Sequence, residues 1–215
     1  MSTSPTSSQA NLRPDLAVIL AHIEPGSRAL DVGCGDGALM AALRDEKQVD
    51  ARGIEIDPVC VERCVSRGLS VVQGDAGRDL AFYPDGAFDY AILSQTLQTA
   101  ERPDRILTQL LRVGRTAFVS FPNFAYWRMR GALLMGGRMP VTRHLPVSWY
   151  ETQNIHNVTV ADFEELAAEM GITIERRWFF TNQRPVGAGG ANWRAEYAVF
   201  EIGQKARQGY TSYTL

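Results

Sequence analysis

The feature that most constrains the fold is the stretch "RALDVGCGDGALMAALRDE", Arg28 to Glu46. A short apolar strand, Ala29 to Val32, runs into three glycines at alternate positions, and a helix from Ala38 to Arg44 opens directly behind them. A strand that turns through glycines into a helix is the first half of a βαβ unit, with the turn at the carboxyl end of the strand. The chain then keeps alternating. "ARGIEID" is a second strand, and Pro58 opens a helix that runs to Arg67 and stops at Gly68. "LSVVQ" is a third strand, Phe88 to Ser94 a fourth, Asp104 to Val113 a helix, and "RTAFVSF" a fifth strand ending at Pro122. This order predicts an α/β fold with a parallel sheet covered by helices on both faces.

Ahead of the alternation, Pro14 to Ile23 has helical spacing. Behind it come a helix, Val160 to Met170, and two strands, "ITIERRWFF" and "WRAEYAVFEI". Their connection, "TNQRPVGAGGAN", is too short for a crossover helix, so an antiparallel hairpin at the sheet edge is expected. Residues 123–150 break the pattern and read as an insert. The expected organisation is a Ser/Thr-rich disordered leader (1–11), one domain (12–203) carrying that insert, and a tail (204–215).

Three ligand classes compete for the glycine turn. A P-loop needs GxxxxGK[ST], and no lysine follows these glycines. The dinucleotide pattern G-x-G-x-x-G/A is met by Gly33, Gly35 and Ala38, with Glu55 as the later acid. Asp31 argues against it. A carboxylate at the end of the first strand would repel a pyrophosphate seated on the helix N-terminus. S-adenosylmethionine (SAM) has no phosphate and carries an ammonium and a sulfonium, which suit Asp31. Gly33 and Gly35 let the backbone approach its methionine part closely. Glu55, ending the second strand, can accept from both ribose hydroxyls. Asp75, after the third strand, is placed to accept from the adenine amino group. The bland alternative is that each acid caps the helix after it.

Composition excludes other classes. The chain has 215 residues, 45% of them hydrophobic, and a net charge of −2, so its overall charge points away from a nucleic-acid or membrane partner. No apolar run approaches the roughly 20 residues that span a bilayer. Cys34, Cys60 and Cys64 are odd in number and form no CxxC pair, so neither a disulfide framework nor a metal site is expected. With no signal region at the N-terminus, a cytoplasmic protein is expected.

"LDVGCGDG", "GIEID" and "QGDA" resemble the first three motifs of class I SAM-dependent methyltransferases. That resemblance implies a Rossmann-like sheet of seven strands in the order 3-2-1-4-5-7-6. It also implies cofactor contacts, for SAM or S-adenosylhomocysteine, at Asp31, Gly33, Gly35, Glu55, Asp75 and Ala76. A narrower resemblance, over about residues 12 to 180, is carried by "LRPDL", "SQTLQ", "SFPNF", "GGRMPVT" and "WYETQNIH". These stretches resemble the methionine-biosynthesis protein family MetW. The resemblance implies association with homoserine O-acyltransferase (the MetX family), which activates homoserine for methionine synthesis. It does not imply that a methyl group is transferred.

An ordinary small-molecule methyltransferase is the alternative, because SAM needs little from its protein beyond an oriented nucleophile. Ser94 and Gln95 follow the fourth strand, where they could reach the methionine part or an acceptor. The NPPY-type motif that serves amino groups of bases and glutamine side chains is absent, and "SFPN" has the wrong order and follows the wrong strand. His156 is the candidate general base, since imidazole as a side-chain type exchanges protons near neutral pH, although a lone histidine is more often structural. The insert places Phe124, Tyr126, Trp127, Trp149 and Tyr150 among Arg128, Arg130, Arg138 and Arg143, with no acid between. It reads as a lid, a docking surface, a nucleic-acid face, or an amphipathic helix with its aromatics in the core.

Overall fold

The computed structural model of the chain describes residues 12–141 and 148–204. The expected leader, Arg143, His144 and the tail beyond Gln204 lie outside them. Helix α1 (Pro14–His22) precedes strand β1 (Arg28–Val32), and α2 (Ala38–Lys47), β2 (Asp50–Glu55), α3 (Pro58–Ser66) and β3 (Ser70–Gln73) follow. Next come the short α4 (Ala76–Asp79), β4 (Phe88–Ser94), α5 (Pro103–Val113) and β5 (Gly114–Pro122). The remainder is α6 (Trp127–Gly136), α7 (Val160–Glu169), β6 (Ile172–Thr181), β7 (Arg184–Val186), α8 (Ala191–Arg194) and β8 (Tyr197–Gln204).

Local chemistry sets the helix starts. Proline stands in the first turn of α1, α3 and α5, where its missing N–H costs nothing. The Asp57 side chain accepts from the Val59 N–H to cap α3, and Thr159 accepts from the Asp162 N–H to cap α7.

The strands form one sheet in the order β3-β2-β1-β4-β5-β8-β6-β7. β1 to β5 are parallel, and β8 lies antiparallel between β5 and β6. The expected class is therefore correct, with one amendment: among the described residues the sheet has eight strands, not seven. The addition is β7, a three-residue edge strand made by a two-residue hairpin at Asn182 and Gln183. Both turn residues have positive φ (48° and 64°), as a type I′ turn requires. "NQ" lacks the glycine that announces such a turn, so the segment reads as plain loop. A second amendment concerns Trp193 and Arg194, expected in the last strand. They belong to α8, and the strand starts at Tyr197.

The two-residue period of the strands sorts side chains onto two faces. Ala29, Ile92, Phe118 and Val199 pack with α1 and α2 on one face. Leu30, Val32, Ala91, Leu93, Val119 and Phe121 pack with α5 and α7 on the other. There Phe163 of α7 fits between Phe121 and Phe200, with ring centroids 4.9 and 4.6 Å away. The same period places Asp31, Ser94 and Ser120 on the α1 face at the carboxyl ends of β1, β4 and β5. No helix among the described residues is long and apolar enough to cross a membrane.

Candidate site at the carboxyl edge of the sheet

Asp31, Glu55 and Asp75 stand at or just beyond the carboxyl ends of β1, β2 and β3, which are adjacent in the sheet. Parallel register brings them together: Asp31 pairs with Gly53, and Glu55 with Gln73. Open α/β sheets bind ligands along this edge.

Asp31 is buried, and its Oδ1 has no hydrogen-bond partner among the described residues. Burial raises its pKa to about 7. The Arg13 guanidinium pulls it down and the Glu55 carboxylate pushes it up. A buried carboxylate with an unpartnered oxygen is costly unless a cation or donor meets it.

Glu55 is also buried, and each of its oxygens is hydrogen-bonded. Its Oε2 accepts the Gly35 N–H at 2.8 Å, and its Oε1 accepts the Ile56 and Asp57 N–H groups, each at 2.9 Å. Asp75 caps α4, accepting the Gly77 N–H at 2.8 Å, and pairs with Arg78 at 3.3 Å. Capping, the bland reading of these acids, thus describes one oxygen of Asp75 and does not describe Asp31. Ala76 follows as the first residue of α4.

The first two glycines differ in surroundings. At Gly33, φ is +72° and a Cβ would lie 2.5 Å from Thr96 Oγ1. At Gly35, φ is +55° and nothing lies within 4 Å of where a Cβ would be. The turn is therefore packed against the β4 loop on one side and open on the other.

Ser94 is turned inward. Its Oγ lies 3.0 Å from Asp15 Oδ2 and 3.1 Å from Ser120 Oγ. Gln95 has φ of +55°, a conformation that strains a residue with a Cβ, and its N–H donates to the Ser120 carbonyl at 2.9 Å. Strain of this kind gathers at ligand sites. Gln98 donates from Nε2 to the Gln95 carbonyl at 2.7 Å, and its buried Oε1 has no partner among the described residues. The Gln98 carbonyl accepts the backbone N–H groups of Ile155 and His156 at 2.8 and 3.0 Å. That strap holds the segment before α7 against the β4 loop. It brings His156, whose Nε2 is buried and has no partner among the described residues, to the same edge.

The insert divides. Tyr126 and Met129 are buried against Phe124, whereas Trp149 and Tyr150 are 74% and 70% exposed. Arg128 lies over the Trp127 ring and Arg130 over that of Trp193. Asn123 of "SFPNF" is a structural hub. It donates to the carbonyls of Asn192 and Ala195 and accepts from the N–H groups of Ala125 and Val160. Arg13 and Asp15 escape sequence reasoning as site residues, because an acid in a first helical turn reads as a favourable dipole contact.

The chain resembles known proteins in sequence and in fold. The family model for methionine biosynthesis protein MetW matches residues 13–202. The chain is 33% identical over 212 residues to the bifunctional methionine biosynthesis protein MetXA/MetW of Rhodopirellula baltica, covering 93% of this chain and 34% of that protein. It thus spans about a third of that relative's length. Among solved structures, a SAM-dependent methyltransferase from Archaeoglobus fulgidus superposes with a TM-score of 0.68 at 15% identity, covering 90% of this chain and 93% of the other. The [4+2]-cyclase SpnF superposes with a TM-score of 0.62 at 19% identity, covering 89% and 81%. These likenesses establish a Rossmann-like class I methyltransferase fold. One fold thus carries two named chemistries, and the reaction does not follow from it.

Proposed function

The chain belongs to the MetW family of methionine biosynthesis proteins, and from that premise we propose that it binds SAM and supports a homoserine O-acyltransferase of the MetX family through a complex. The SAM reading is carried by the unpartnered oxygen of buried Asp31. It fits a cationic, phosphate-free ligand, with the ammonium of the methionine part beside Asp31 and that part's chain over the open side of Gly35. Glu55 keeps lone pairs for the ribose hydroxyls, since its three N–H donors occupy only part of a carboxylate's capacity. Asp75 and the adjoining Ala76 receive the adenine, and Ser94 and Gln95 line the methionine end. When bound, SAM supplies an electrophilic methyl group.

The partner reading is supported by the name of the relative from Rhodopirellula baltica, which joins MetXA and MetW in one bifunctional protein. Fusion raises effective concentration for modules that act together. The exposed aromatics of the insert offer the anchors an interface uses. A cytoplasmic location belongs to the same reading and is supported by three free cysteines. Calorimetry with SAM and S-adenosylhomocysteine tests the ligand. Co-purification with the acyltransferase, and its activation on adding this protein, tests the complex. An acyltransferase fully active alone and never associated with this chain overturns it.

Methyl transfer to a small molecule is the second reading. The observation favouring it is the unpartnered Nε2 of His156 at the site's edge, where a general base could accept a proton from an acceptor. Release of S-adenosylhomocysteine by wild type but not by His156→Ala would support it.

A further inference from the structure

The segment "LRPDL" brings Arg13 and Asp15 to the edge of the site, where Ser94 touches both. We infer that Arg13, held in place by Asp15, binds the carboxylate of the ligand's amino-acid end. The inference rests on the SAM reading and deepens it. The amino-acid end of SAM carries an ammonium and a carboxylate on one carbon. A site built for it therefore needs an anion and a cation side by side.

Asp31 is the anion, and Arg13 meets the requirements for the cation. It lies at the N-terminus of α1, on the sheet face that carries Asp31, Ser94 and Ser120. Only its Nη2 is used, donating to Asp15 Oδ2 at 3.1 Å and to Ser94 Oγ at 3.0 Å. Among the described residues, Nε and Nη1 make no hydrogen bond. Its side chain is half exposed, so these donors can reach a ligand.

Asp15 is 2% exposed and gathers Arg13, Ser94 and Ser120 on a single oxygen. Burying a carboxylate to hold one half-exposed guanidinium adds little stability. It does fix the orientation of a planar fork suited to carboxylates. Asp31 pairs with Ile92 across β1 and β4, so Ser94 and the Arg13 that donates to it stand one strand over and two residues further on, on the same face, near enough for both charges to meet one ligand.

The test compares two probes on the full chain by calorimetry: SAM, and decarboxylated SAM, which keeps the ammonium and lacks the carboxylate. Wild type is expected to prefer SAM by about tenfold to a hundredfold, the range for a charge-assisted pair. Arg13→Ala should bind both probes equally, at the affinity of wild type for decarboxylated SAM. Arg13→Gln keeps a donor for Asp15 and Ser94, so it guards against misfolding and should also lose the preference. Arg13→Lys should recover part of it. If wild type binds both probes equally, or Arg13→Gln keeps the wild-type preference, the inference is overturned and SAM binding stands. If wild type binds neither, the SAM reading falls and the inference with it.

Discussion

Gly35 donates its backbone N–H to Glu55 Oε2 at 2.8 Å, so the glycine turn and the end of β2 are one hydrogen-bonded unit. The other oxygen of Glu55 also faces only N–H donors. Glutamine therefore cannot replace it, because either orientation sets an amide NH₂ against donors. Glu55→Gln should lower stability by roughly 1–3 kcal/mol and weaken SAM binding at least about tenfold. Thermal denaturation and calorimetry on the same preparation would show both.

Asp31 gives the protein a pH signature. Its folded pKa of about 7 lies above the ordinary 3.8, so between these values the folded chain holds a proton that the unfolded chain has released. Stability contributed by this group is complete at low pH and falls as pH rises through that window, by roughly 4 kcal/mol in all. Asp31→Asn should remove the decline and be more stable than wild type above pH 7. A melting-temperature series across that range checks it.

The same carboxyl group links SAM to protons. A ligand ammonium favours the ionised form, so binding near pH 6 should release a proton, and affinity should rise with pH until about 7. Titrations in buffers of different ionisation enthalpy measure the release, which Asp31→Asn should abolish.

Gly33 and Gly35 should respond differently to alanine. Both have positive φ, so each substitution costs about 1 kcal/mol or more in backbone strain. At Gly33 the new Cβ also meets the Thr96 hydroxyl, so this variant should lose more melting temperature. At Gly35 the Cβ enters open space, so the fold should be less affected and ligand affinity should fall sharply.

Asn123→Ala should destabilise by at least about 2 kcal/mol, since it strands buried backbone groups in three segments. A urea midpoint measures the loss, and SAM affinity measured below the transition should remain close to wild type.

The order of elements, and the sheet edge where the three acids gather, are legible in the residues alone. An apolar period of two followed by glycines and an apolar helix admits few structures, and the acids at strand ends must gather where parallel strands end together. Asp31, Glu55 and Asp75 were legible for that reason, because strand pairing fixes their proximity. The tertiary structure decided what each carboxylate does. Asp31 keeps one oxygen unpartnered among the described residues, Glu55 gathers three N–H groups and Asp75 caps a helix, although in sequence all three are acids after strands. It also decided that Ser94 turns inward, that Asn123 braces the insert, and that Arg13 and Asp15 reach Ser94. Ser94 and Ser120 lie 26 positions apart, and Asp15 lies 79 positions before Ser94. Contacts between residues so distant depend on how α1 packs across the sheet, and no local period in the sequence records that.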